Sequence, residues 1–436
     1  LGYVGLPLAY QFSKFKENLD TTFCKGKVIG FDINKKRIND LKIGIDNTNE
    51  VSRDELLDVQ NIQFTSELNQ LVDCDVFIIT VPTPLRDNNQ PDFNALSNAS
   101  RIVGEVLKER NSLKNKKVPF VIYESTVYPG ATEEICLPIL KKSSEMYLYK
   151  DKINNSFALG YSPERVNPGD KKNRLEDIVK VTSGSCTKSS IWIDELYKTI
   201  IKAGTYRVKT IKIAEASKVI ENVQRDLNIA IVNEFALIFN KLSIDTNDVL
   251  DAAKTKWNFL DFRPGLVGGH CIGVDPYYLT YKAKQFGYYP DLISSGRRLN
   301  NGMGFWIAEQ IITHIVSRSL NSSNAKILIL GVTFKENCPD IRNSKVIDIY
   351  NSLKKFNFDI KIVDPEADVC KTKSDLGIEI SKELDKKDTF DVVIVCVAHR
   401  LFKKFSLRNW QDLIKKDGFI YDIKGIVPRE INPIRL

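Results

Sequence analysis

The sequence predicts an α/β fold, with two doubly wound parallel-sheet units joined by a long central helix in a helical middle domain. Three observations lead there. Short continuous apolar runs alternate with stretches of helical period. The alternation occurs twice, before about residue 205 and after about residue 322. Between the two lies a segment, 210–242, with neither Pro nor Gly.

In chain order, β-rich runs fall at 28–31, 76–81, 118–123 and 157–160, then at 326–331, 360–363, 391–398 and 419–422. Runs with no polar alternation belong to strands buried on both faces, the signature of a parallel sheet covered by helices. In the middle segment, Ile213, Ala216, Ile220, Val223, Leu227, Ile231, Phe235, Ile238 and Leu242 recur at steps of three and four. That spacing predicts one buried stripe on a helix, and such a helix reaches about 50 Å. It is long enough to bridge two domains and to present a second face to a partner subunit. The expected division is 1–205, 206–320 and 321–436.

A chain of 436 residues accommodates two or three domains. Apolar residues are 43% and charged residues 27%, ordinary globular values that exclude disorder and fibrous repeats. The longest apolar runs (76–81, 327–332, 392–398) fall far short of the ~20 residues of a membrane span, and no signal peptide is visible. A soluble, cytoplasmic protein is expected. The net charge of +8 is interspersed with acids rather than clustered, which suits anionic small substrates and not nucleic acid. Eight scattered cysteines without paired spacing suit a reducing compartment. Three dispersed histidines (270, 314, 399) offer no metal centre.

The chain opens Leu1-Gly2-Tyr3-Val4-Gly5-Leu6-Pro7. This reads as a G-x-G-x-x-G turn entered late, Gly2 and Gly5 being its second and third glycines, with the first glycine and first strand expected upstream of Leu1. An ordinary glycine turn is the alternative. Gly2 would let backbone N–H groups approach a pyrophosphate, and Gly5 would allow close helix–sheet packing. The strand at 28–31 ends in Asp32, an acid suited to a ribose diol. Its distance from Gly2 exceeds the usual ~20 residues, so 16–27 reads as an insertion. Asp32 favours NAD over NADP, although Lys35, Lys36 and Arg37 stand nearby.

Further motifs follow in order: Val81-Pro82-Thr83-Pro84, Glu124-Ser125-Thr126-Val127, Ser162-Pro163-Glu164-Arg165-Val166, Lys218 with Asn222, Gly268-Gly269-His270-Cys271-Ile272-Gly273-Val274-Asp275, and Phe334-Lys335. Together with the opening turn, Asp32 and Arg37, they resemble the UDP-glucose/GDP-mannose dehydrogenase family over essentially the whole chain. Within it, residues 256–271 look like the UDP-N-acetylhexosamine 6-dehydrogenases that make uronic acids for surface polysaccharides. The resemblance implies two Rossmann-like domains and a dimer or higher homo-oligomer. It also implies NAD-dependent oxidation of a sugar C6 alcohol to a carboxylate, with two NAD+ and one water.

A four-electron oxidation calls for a nucleophile, because an aldehyde carbon surrenders its remaining hydride reluctantly. Thiolate attack makes a thiohemiacetal, which gives up a second hydride and becomes a thioester for water to cleave. Cys271 is the cysteine in a Gly-rich turn entering a predicted helix, where Gly268 and Gly269 permit close substrate approach and a helix N-terminus favours the thiolate. The other seven read as small packing residues.

The resemblance assigns Asp275 to activating thiol or water, Lys218 to steadying alkoxide and oxyanion charge, and Asn222 to holding sugar or water. Glu164 becomes the acid/base of thioester hydrolysis, with Arg165 and Val166 as substrate contacts. Thr126 positions the catalytic water and meets NAD. Gly2, Tyr3, Val4, Asp32, Arg37, Thr83 and Arg342 are implied cofactor contacts. Arg263, Gly268, Phe334, Lys335 and Lys424 are implied contacts of the UDP-sugar. Val274 stands where UDP-glucose enzymes commonly carry Lys, in keeping with an acetamido sugar. His270 reads as a packing or substrate contact rather than half of a Cys–His dyad. Two alternatives stand: a UDP-glucose or GDP-mannose 6-dehydrogenase, and a non-catalytic sugar-nucleotide-binding subunit, motivated by the absent first strand.

Overall fold

Strands without a polar face must be covered on both sides, and the computed structural model shows how this chain does so. It describes residues 1–14, 27–59, 61–113, 117–150, 155–166, 174–320, 324–385 and 387–436. The insertion expected at 16–27 lies outside the described residues except for Lys27, as does Cys24. Contacts group the chain into two units, Leu1–Glu221 with Tyr277–Gln285, and Asn222–Pro276 with Phe286–Leu436.

In the first unit, β1 (Val28–Phe31) and β2 (Ile62–Thr65) pair in parallel as a small sheet. The larger sheet contains β3 (Val76–Ile79), β4 (Phe120–Tyr123), β5 (Tyr147–Leu148), β6 (Ser156–Tyr161), β7 (Lys180–Gly184) and β8 (Thr205–Arg207). Its order is β3-β4-β6-β7-β8, with β5 beside β6. All pairs are parallel except β6–β7, a departure from the all-parallel expectation. A parallel neighbour needs a crossover of a dozen or more residues, usually helical. Among the described residues, only the short 3₁₀ turn Leu175–Asp177 lies between these two strands.

The second unit carries β9 (Lys326–Leu330), β10 (Asp359–Val363), β11 (Phe390–Val395), β12 (Ile414–Asp422) and β13 (Ile434–Arg435). They form one parallel sheet ordered β10-β9-β11-β12-β13. Alternate residues serve opposite faces. Ile327, Ile329, Val392 and Ile394 pack with Ile307 and Ile311 of helix Asp291–Ser317. Leu328, Leu330, Val393 and Val395 pack with Phe402 and Trp410. The continuous apolar runs are thus explained by two covered faces.

The segment expected to be one long helix is helical over Ile211–Leu242. Its buried face is not the expected one. Ile213, Ile220, Ile231, Phe235, Ile238 and Leu242 are exposed, whereas Ala214, Glu215, Lys218, Asn222, Asp226 and Asn233 are buried. Periodicity locates two faces of a helix but does not say which one the rest of the chain covers. Here polar side chains turn inward beside Val219, Val223, Ala230, Val232 and Ala236, and most of the expected stripe is left on the surface of the single chain.

Candidate active site

In the first unit, the motif segments follow directly from strand ends. Ile79, Tyr123 and Tyr161 are in register across β3, β4 and β6, so the loops after them leave the same sheet edge. Those loops carry Thr83, Thr126 and Glu164, at the carboxyl ends where α/β sites form. The Thr83 hydroxyl donates to the Thr126 carbonyl at 2.7 Å, and the Ser125 hydroxyl donates to the Val81 carbonyl at 2.6 Å. Glu164 accepts the Val166 N–H through its carboxylate. Arg165 is ion-paired with Glu221 at 2.6 Å. Lys218 is 8% exposed and has no ion pair among the described residues.

The dinucleotide turn lies on the same unit. A Cβ at Gly2 would meet no protein atom within 4 Å, whereas one at Gly5 would lie 2.5 Å from Thr80 Oγ1. Gly2 therefore bares backbone and Gly5 lets helix Gly5–Ser13 sit against the sheet, an arrangement that fits NAD. Tyr3 and Val4 complete the turn, and Asp32 follows β1. Arg37 Nε donates to the Leu1 carbonyl at 2.8 Å and its guanidinium pairs with Asp46 at 2.7 Å, so it braces the turn from beneath. These residues fit the adenosine and pyrophosphate portions of NAD.

In the second unit, Cys271 sits half-buried in a turn that runs into helix Asp275–Gln285. The Asp275 N–H donates to the Cys271 carbonyl at 2.8 Å. The Asp275 carboxylate is 2% exposed and accepts from Asn222 Nδ2 at 2.5 Å. Lys218 stands one turn before Asn222 on the long helix. The glycines before the thiol also allow a close approach within the protein. A Cβ at Gly269 (φ +81°) would lie 2.8 Å from the Phe334 ring, and one at Gly268 would lie 2.8 Å from the Asn343 carbonyl. Both glycines let the thiol turn approach the Phe334 turn closely. His270 packs edge-on to Phe334 with ring centroids 6.2 Å apart.

A cavity at the carboxyl edge of the second sheet is lined by Gly268, Phe334, Lys335, Ser344, Lys345 and Lys424, among others. Three lysines around one recess suit a diphosphate. Arg263 is paired with Asp251 and Asp261, at 2.6 and 2.7 Å, and Arg342 forks onto Asp340.

Two of the other thiols, Cys74 and Cys136, are poorer nucleophiles. Burial pushes Cys136 up to about 12, and burial with nearby Asp75 and Asp73 pushes Cys74 up to about 11. A buried neutral thiol is inert.

Several supporting residues escaped the motif reading. Asn233 bonds both the N–H and the carbonyl of Gly265, at 2.8 and 3.0 Å, and Asp226 pairs with Arg297 at 2.5 Å, all buried beneath the Cys271 segment. Asp364, after β10, accepts the N–H groups of Val332 and Thr333 and lies 3.1 Å from His399 Nε2. His399 Nδ1 accepts the Asn337 N–H at 3.0 Å, so the His399–Asp364 pair fixes the Phe334-Lys335 turn. The spacing of Lys218, Asn222, Asp226 and Asn233 on one helical face was the available signal.

Family models describe the chain throughout. The NAD binding domain of the UDP-glucose/GDP-mannose dehydrogenase family matches residues 1–235, its central domain 212–302 and its UDP binding domain 328–429. The UDP-N-acetyl-D-glucosamine 6-dehydrogenase of Salmonella typhi is 49% identical over 436 residues, covering all of this chain and 97% of the relative. The enzyme of that name from Pseudomonas aeruginosa is 48% identical, with 100% and 98% covered. Among solved structures, a UDP-D-ManNAc dehydrogenase from Pyrococcus horikoshii aligns with TM-score 0.82 at 26% identity, covering 100% of this chain and 96% of that one.

Proposed function

Because this chain belongs to the UDP-glucose/GDP-mannose dehydrogenase family, we propose that it oxidises the C6 hydroxyl of a UDP-N-acetylhexosamine to the uronic acid for surface polysaccharide biosynthesis. One observation carries the reading: the half-buried Cys271 thiol stands one turn before Asp275, whose buried carboxylate is held by Asn222. Bound NAD supplies the acceptor for both hydrides.

Lys218 stabilises the C6 alkoxide as the alcohol loses its proton and first hydride. Cys271 then adds to the aldehyde carbon, and Lys218 steadies the resulting oxyanion. Loss of the second hydride leaves a thioester on Cys271. Thr126 and Asn222 hold a water that Glu164 deprotonates, and its attack releases the carboxylate and the thiol. Asp275 assists proton transfer at thiol or water. The overall balance is one alcohol, two NAD+ and one water giving one carboxylate, two NADH and three protons. Lys335 and Lys424, with Phe334 and Gly268, bind the UDP-sugar. Arg263 and Arg342 reach the substrate diphosphate and the cofactor once their carboxylate partners are exchanged.

The exposed stripe Ile220, Ile231, Phe235, Ile238 and Leu242 supports a homodimer, or higher homo-oligomer, formed through the long helix. Among the described residues, no helix is long and apolar enough to cross a membrane. A cytoplasmic location, where NAD and nucleotide sugar would both be at hand, is part of this reading. NADH release measured with a panel of nucleotide sugars tests the substrate. Turnover of UDP-N-acetylglucosamine or its C4 epimer is expected at least tenfold above UDP-glucose, and turnover of UDP-glucose alone would overturn the assignment.

A further inference from the structure

We propose that Lys180, which belongs to none of the motifs, is a positioning residue that fixes Glu164 and Thr126 relative to each other for thioester hydrolysis. Lys180 opens β7 and is 3% exposed. Its Nζ donates to Glu124 Oε2 at 2.7 Å and to the Pro163 carbonyl at 3.1 Å. Glu124 lies two residues before Thr126, and Pro163 immediately precedes Glu164. One ammonium therefore ties together the two segments that carry the proposed water-positioning and acid/base groups.

The surroundings make that tie rigid. Glu124 is 1% exposed, and its second carboxylate oxygen accepts the hydroxyl of the buried Tyr197. The backbone adds bonds from Ser162 N–H to the Tyr123 carbonyl at 2.9 Å and from Glu164 N–H to the Glu124 carbonyl at 3.4 Å. The Ser162 hydroxyl donates to the Val181 carbonyl at 2.7 Å, which locks the same loop onto β7. Burying a Lys–Glu pair costs several kcal/mol in lost solvation, and an apolar pair of similar volume often does as well for stability. A buried pair at this place is better explained by what it orients. A displacement of ~1 Å of catalytic groups slows reactions by about 10²-fold.

The inference rests on the thioester reading above, and the experiment separates the two. Purified full-length Lys180→Met is mixed with NAD and UDP-N-acetylglucosamine, followed for NADH, and analysed by rapid quench and intact mass. The expected result is a burst of two NADH per active site at near wild-type rate. A steady state about 10- to 100-fold slower should follow, with an acyl adduct accumulating on Cys271 and KM changed less than about threefold. Lys180→Arg, which keeps the charge, should recover most of the hydrolysis rate. Should Lys180→Met fail to fold, Tyr197→Phe, which removes one donor to Glu124, should show the same burst and adduct at smaller amplitude. Wild-type steady-state turnover by Lys180→Met, or by Tyr197→Phe in its place, overturns the proposal. A uniform loss of both phases with no adduct also overturns it. Full turnover by Cys271→Ser would instead remove the thioester reading itself, and this proposal with it.

Discussion

Individual side chains in this protein have charge states that their burial dictates. Glu215, on the long helix three residues before Lys218, is fully buried and accepts backbone N–H groups from Gly130 and Thr132. Burial raises its carboxyl from 4.5 to about 7 despite those two donors. The native state therefore keeps a proton that the unfolded chain gives up near the ordinary value. Stability from this group is full below about 4.5 and is lost as the pH rises through about 7. Urea unfolding of wild type and Glu215→Gln should show the wild-type advantage shrinking by roughly 3 kcal/mol between those limits. Parallel stability curves for the two proteins would contradict it. Asp364 runs the other way: although burial opposes it, the bonds from His399 and from backbone N–H groups hold its carboxyl well below the usual range.

At the scale of elements, loops are held at the sheet edges by close approaches that only glycine allows. Gly269→Ala places a Cβ in a left-handed backbone and 2.8 Å from the Phe334 ring, so Phe334 must move. The left-handed conformation alone costs about 1–2 kcal/mol, and about 1.4 kcal/mol is tenfold in affinity. KM for the nucleotide sugar should rise about tenfold or more in a steady-state assay; an unchanged kcat/KM would contradict the contact. The elements themselves were unequally legible. Apolar runs such as 391–398 announced their strands because both sheet faces are covered. The strand at Lys180–Gly184, polar and short, did not, although it carries the ammonium that ties two site loops together. The long helix was legible in extent but not in orientation. Its apolar stripe was expected to face inward, and tertiary burial of Lys218, Asn222, Asp226 and Asn233 on another face shows otherwise.

At the scale of the whole molecule, the order of short motifs along the chain was enough to reach the family, because each motif sits at a strand end or helix entry that the fold makes functional. The supporting networks were invisible to motifs. Asn233 with Gly265 and Asp364 with His399 pair residues 32 and 35 positions apart, and such pairs are joined by folding, not by spacing. The proposed function turns on one chemical event, the capture of an aldehyde by Cys271. That event is tested most directly by quenching wild-type enzyme during turnover and mapping its cysteine peptides by mass. The account predicts a uronyl thioester on the peptide containing Cys271, absent from Cys271→Ser, which should release no more than one NADH per site. Sustained production of the uronic acid by Cys271→Ser at the wild-type rate would contradict it.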